Sequence, residues 1–139
     1  MTIYVNIKQL GKRKPRVAAT PFDLQTAPGN LRELIGMMVR SSVSDFNRRI
    51  REKTERILSD KDLDFMSQIG RIGFGIPFGN READPDAAVE TAIQGFTDGL
   101  FRFFVGDTEI DSLDSPVKLR TGDTITIIRL TMLTGGFFW

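Results

Sequence analysis

The 139-residue chain contains no cysteine and no histidine. Without cysteine there is neither a disulfide framework nor thiol chemistry, which suits a reducing compartment. The two absences together remove Cys–His and Ser–His nucleophilic pairs and the usual zinc ligands. An excess of one charge is also missing: 19 basic and 18 acidic residues leave a net charge of +1, so no overall field favours nucleic acid or an anionic membrane. No apolar run approaches the ~20 residues that span a bilayer. The opening stretch MTIYVNIKQ alternates polar and apolar residues instead of presenting a charged region before an apolar one, so it does not read as a signal peptide. The expectation is a cytoplasmic protein with neither nucleic acid nor membrane as partner.

What is present suits one globular domain over residues 1–139. Apolar residues make up 40% and charged residues 27% of a chain long enough to bury a core without staples. Ile3, Val5 and Ile7 alternate with Thr2, Tyr4, Asn6 and Lys8, the period of a half-buried strand. The stretch Gly11–Pro15 signals a turn, and Arg16 to Phe22 returns as a partner strand weakened by Ala18 and Ala19. Pro28-Gly29-Asn30 then breaks the chain, with Asn30 as a helix cap and Glu33 three residues on. From Leu31 to about Arg56 the apolar positions keep helical spacing, while most arginines lie off that stripe.

A short second helix is expected over Asp60–Ile69, and an ordered loop or irregular strand pair over Gly70–Gly79. Asp84-Pro85 opens a third helix, whose buried face is Ala88, Ala92, Ile93 and Phe96. Leu100–Val105 and Thr108–Ile110 read as strands joined by a turn at Gly106-Asp107. After a bend at Leu113–Pro116 and a turn at Thr121–Asp123, a last strand runs from Thr124 to Leu133. A Gly135-Gly136 pair and three aromatics, Phe137, Phe138 and Trp139, close the chain. Hairpin, helix, helical middle, strand pair and returning strand are most economically packed as an α+β, mixed sheet on one long helix. A last strand lying beside the first would make this a β-grasp.

Two blocks resemble ubiquitin. Met1 to about Ile50 has the order strand, turn, strand, proline-marked break, helix. Leu100 to Gly136 resembles the family's third strand, short fourth strand, leucine-led bend and fifth strand, and the Gly122-Asp123 turn and Gly135-Gly136 are also similar to the sulfur-carrier branch. The chain departs from ubiquitin in an insert at about residues 55–98, in Thr134 where ubiquitin has arginine, and in the residues after the glycines. The resemblance implies a protein modifier made as a precursor, with 134–139 as its tail. A peptidase would remove Phe137, Phe138 and Trp139. An activating enzyme that brings its own ATP and magnesium would adenylate Gly136, and a conjugating enzyme would pass the carboxylate to an amine on a target protein. Glycine suits that chemistry, because a backbone without Cβ lies extended in a narrow channel with its carbonyl unshielded. Gly135 gives access and Gly136 carries the transferred carboxylate.

The chain itself is then a substrate, not an enzyme, and no cofactor is expected on it. Two alternatives stand beside this: a non-covalent β-grasp interaction module with an uncleaved aromatic tail, and a sulfur carrier. Arg102, Phe104, Ile128 and Leu130 are the candidate partner surface, although apolar residues on both faces of Leu100–Phe104 favour burial of both faces, with the insert on the outer one. The lysines Lys8, Lys12, Lys14, Lys53, Lys61 and Lys118 are the side-chain amines that could accept a second copy. Lys12-Arg13-Lys14 reads as a solvated hairpin tip. Asp60-x-Asp62-x-Asp64 is no calcium loop, having Phe65 at its sixth position and Arg71 at its twelfth. Gly73-x-Gly75 with Gly79 lacks the spacing of a dinucleotide fingerprint. No metal site is expected.

Overall fold

The computed structural model describes residues 1–11, 17–52, 69–79 and 81–130. The hairpin tip at 12–16, the end of the predicted long helix beyond Glu52 and all of the predicted short helix except Ile69 lie outside the described residues. The architecture is α+β, with one mixed five-stranded sheet in the order β2-β1-β5-β3-β4.

β1 (Thr2–Gln9) and β2 (Val17–Asp23) are antiparallel. Ile3 faces Phe22 and Val5 faces Thr20, but Ile7 faces Val17, so two steps on β1 match three on β2. The extra residue falls at Ala18-Ala19, where Ala19 adopts φ +39°, a conformation unfavourable for a residue with a Cβ. Asn6 offsets part of that strain: its Oδ1 accepts a 2.6 Å bond from the Ala19 amide. Pro21, which has no N–H to give a ladder, fits because β2 is an edge strand.

α1 (Leu31–Glu52) begins as its sequence dictates. The Glu33 amide donates to Asn30 Oδ1 at 2.9 Å, and the Glu33 carboxylate reaches back to the Gly29 amide at 3.1 Å. Leu31, Leu34, Ile35, Met38, Val39, Val43 and Phe46 form its buried stripe. α2 (Pro85–Thr97) starts at Asp84, whose side chain accepts from the Asp86 amide, and Ala88 and Ala92 pack inward while Ile93 and Phe96 are half-buried. A strap of polar contacts holds the approach to α2 against α1. The Asn47 side chain donates to the Ala83 carbonyl at 2.8 Å and accepts from its amide at 2.6 Å, and Arg51–Glu82 and Arg40–Asp86 are ion pairs of 2.7 Å.

β3 (Phe101–Val105), β4 (Thr108–Ile110) and β5 (Thr124–Arg129) complete the sheet. β1 and β5 run parallel at its centre; the other pairings are antiparallel. Gly106 and Gly122 take the positive φ (+58° and +93°) that the turns before β4 and β5 require. β5 stops at Arg129, short of the predicted Leu133; Leu130 has left the ladder, and 131–133 are outside the described residues.

Of the two expectations for Gly70–Gly79 the structure has the ordered loop, while the expectation that the insert lies over the outer face is corrected for residues 69–79. Between Ile69 and Gly73 the chain makes a π-helical turn and then runs on without strand structure to Gly79. This part of the insert packs on the helix side of the sheet, not over its outer face. A Cβ on Gly70 would stand 2.9 Å from the Ser42 Cβ of α1, and one on Gly73 would stand 3.1 Å from Ile7 Cδ1 and 3.3 Å from Ile127 Cδ1. Ile69, Phe74 and Ile76 join the core there, and Phe78 stacks on Phe46 with ring centroids 4.3 Å apart. The outer face is therefore not sealed: Ile128, Phe104 and Leu130 are half-buried and Arg102 is exposed.

Candidate functional site: the last strand and the outer sheet face

β5 is held along both edges. At its start the Gly122 amide donates to the Thr2 carbonyl at 2.8 Å and the Tyr4 amide to the Asp123 carbonyl at 2.9 Å, which zips the turn to β1. At its end the Leu10 amide donates to the Arg129 carbonyl and the Leu130 amide to the Leu100 carbonyl, each at 3.0 Å. Leu130 is the last described residue. Gly135, Gly136, Phe137, Phe138 and Trp139 lie outside the described residues, as do Lys12, Lys14, Lys53 and Lys61.

Three of the four predicted surface residues, Arg102, Phe104 and Ile128, share one face of the sheet. Arg102 stands opposite Ile128 and Phe104 opposite Thr126. On the other side of β5, Lys8 stands opposite Ile128, so one row crosses the sheet as Lys8, Ile128, Arg102. The next row is Asn6, Thr126, Phe104, Glu109. Arg102 Nε lies 3.7 Å from Glu109 Oε2, and both side chains are solvated enough that the pair adds little stability. Leu130 follows beyond the ladder. Lys8 and Lys118 are exposed.

Tyr4 belongs to the same surface, and with Leu10, just past the end of β1, it is an exposed large apolar side chain, at 38% and 63%. Sequence reading passed over both. Tyr4 sits among the polar positions of β1, and its position there was the available signal. A groove of about 580 Å³ borders this face where β3 begins, with Phe96, Leu113 and Leu130 among its walls.

The inner face of β5 ends, in step with Ile125 and Ile127, in a charged residue. Arg129 is 7% exposed, and burial pushes its guanidinium pKa below the usual value. On α1 the opposite occurs: the hydrogen bond and charge of Asp45, 2.6 Å from Arg48, raise the Arg48 pKa. Among the described residues no group of three or more acidic side chains is arranged to hold a metal ion, and no helix is long and apolar enough to cross a membrane.

Compared with protein-family models, with curated proteins and with solved structures, the chain matches none.

Proposed function

We propose that this chain is a ubiquitin-like protein modifier with a β-grasp fold, which donates the carboxylate of Gly136 once the residues after it are removed. The observation that carries the proposal is the setting of β5. It lies between β1 and β3, is parallel to β1, and remains hydrogen-bonded on both sides up to Leu130, five residues before Gly135. A central strand does not fray when an enzyme grips the segment beyond it. Five extended residues reach about 16 Å, enough to carry a carboxylate into a channel while the fold stays outside.

In the proposed sequence a peptidase hydrolyses the Gly136–Phe137 peptide bond, and water supplies the new carboxylate oxygen. An activating enzyme joins that carboxylate to AMP, with pyrophosphate leaving from its bound ATP. A nucleophile then displaces AMP, and a target amine finally takes the acyl group as an amide. ATP and magnesium belong to the activating enzyme throughout.

The test is intact-mass analysis of the native chain with its peptidase and activating enzyme. Loss of Phe137, Phe138 and Trp139, followed by ATP-dependent attachment to lysine, is expected, and Gly136→Asp should abolish attachment. A sulfur gain at Gly136 would select a sulfur carrier. Persistence of the untrimmed chain without adducts would select the second reading, a non-covalent module. The exposed Tyr4 and Leu10 beside half-buried Phe104, Ile128 and Leu130 favour that second reading, since partner surfaces combine apolar centres with charged rims such as Lys8 and Arg102.

A further inference from the structure

The end of β5 hides a cation under a short piece of the insert. Arg129 shares the inner face with Ile125 and Ile127, and its Nη1 donates to the Gly73 carbonyl at 3.1 Å. No carboxylate among the described residues pairs with it. Gly75, at φ +71°, turns the chain directly over the guanidinium: a Cβ there would stand 3.2 Å from Nη1 and 3.3 Å from Nη2. An ionised group is thus largely covered by a segment that offers it a single neutral carbonyl, with Nε and Nη2 left only a small contact with solvent. Removing a charge from water without a counter-ion costs more than one such bond returns. The difference is offset by the apolar side chains of the same segment, Ile69, Phe74 and Ile76, all buried in the core.

We propose that Ile69–Ile76 is a lid over Arg129, and that the guanidinium's gain of water on opening sets how readily the lid lifts. The lid and the conjugation chemistry at Gly136 involve different residues. The role of the charge fixes a sign. If the charge promotes opening, an apolar side chain of similar length will hold the lid more firmly shut. If Arg129 is only a hydrogen-bonded strut, the same change will loosen it.

Native-state hydrogen exchange on the full chain separates the two. The reporters are the Phe74 amide, bonded to the Ile69 carbonyl, and the Ile76 amide, bonded to the Gly70 carbonyl; the Tyr4 amide, bonded to Asp123 in the central ladder, is the reference. Arg129→Met is expected to slow Phe74 and Ile76 relative to Tyr4 on the order of tenfold. Gly75→Ala, which drives a Cβ toward the guanidinium from a left-handed backbone, is expected to speed both on the order of tenfold. Faster or unchanged lid exchange in Arg129→Met, or failure of that chain to fold, overturns the proposal. So does a Gly75→Ala chain whose lid amides exchange as in the wild type.

Discussion

The two faces of the sheet are cut from the same strands and meet different fates. On the inner face Ile3, Val5, Ile7, Phe103, Ile125 and Ile127 are fully covered. On the outer face Phe104, Thr126 and Ile128, their immediate neighbours in sequence, are half-buried, and Tyr4 and Arg102 are exposed. Alternation explains part of this, since Asn6, Lys8, Arg102 and Thr126 all fall on the outer face, but it leaves Phe104 and Ile128 there as well. β3 reads Phe-Arg-Phe-Phe-Val and β5 Thr-Ile-Thr-Ile-Ile-Arg, so both strands place apolar residues on both sides. The difference comes from where the rest of the chain lands. α1 and the turn at Ile69–Gly73 share one side, and Gly70 and Gly73 let that turn approach the helix and the sheet more closely than any side chain would allow. The sheet therefore buries its inner face completely and leaves the apolar residues of its outer face, Phe104 and Ile128, half-covered.

The sharpest way to break this comparison is to truncate matched phenylalanines across the sheet. Phe103→Ala, on the covered face, is expected to cost about 3–5 kcal/mol, as buried aromatics do. Phe104→Ala, one residue on, should cost under about 1.5 kcal/mol, because solvent already reaches it. Urea unfolding of both variants measures the gap, and equal losses would mean that the outer face is as dry as the inner one. A smaller effect tests the close approach itself. Gly70→Ala puts a Cβ 2.9 Å from Ser42 Cβ and is expected to destabilise by about 1–3 kcal/mol through overpacking. A neutral result would show the turn riding further from α1 than its glycines permit. Smallest, and opposite in sign, is Gly36→Ala. Gly36 lies within α1 with open space where its Cβ would be, so alanine should stabilise by roughly 0.5–1 kcal/mol, read as a rise in unfolding midpoint. Loss of stability there would mean that something covers that side of the helix.

Much of the fold was legible before any coordinates. The alternation of Thr2–Gln9, the Asn30 and Asp84 caps, the proline at the start of α2 and the glycine turns before β4 and β5 each act within a few residues, so local pattern reports them faithfully. That Arg102, Phe104 and Ile128 share a face also followed from alternation. Three features did not follow. The bulge at Ala18-Ala19 depends on Asn6 across the strand pair. The strap from Asn47 to Ala83 joins residues 36 apart. Alternation puts Arg129 on the same side as Ile125 and Ile127, but its burial depends on Gly73 and Gly75, more than fifty residues earlier, which close over it.

Periodicity and turn chemistry by themselves determined which residues form strands and helices and which side chains point the same way. Those depend on φ, ψ and steric preferences that each short stretch carries with it. Only the tertiary structure decided that β5 lies beside β1, that residues 69–76 pack on the helix side of the sheet, and that a guanidinium is largely buried under a glycine turn. Such outcomes depend on contacts between distant segments competing for the same apolar surface, and a face that is apolar in sequence does not specify what will cover it.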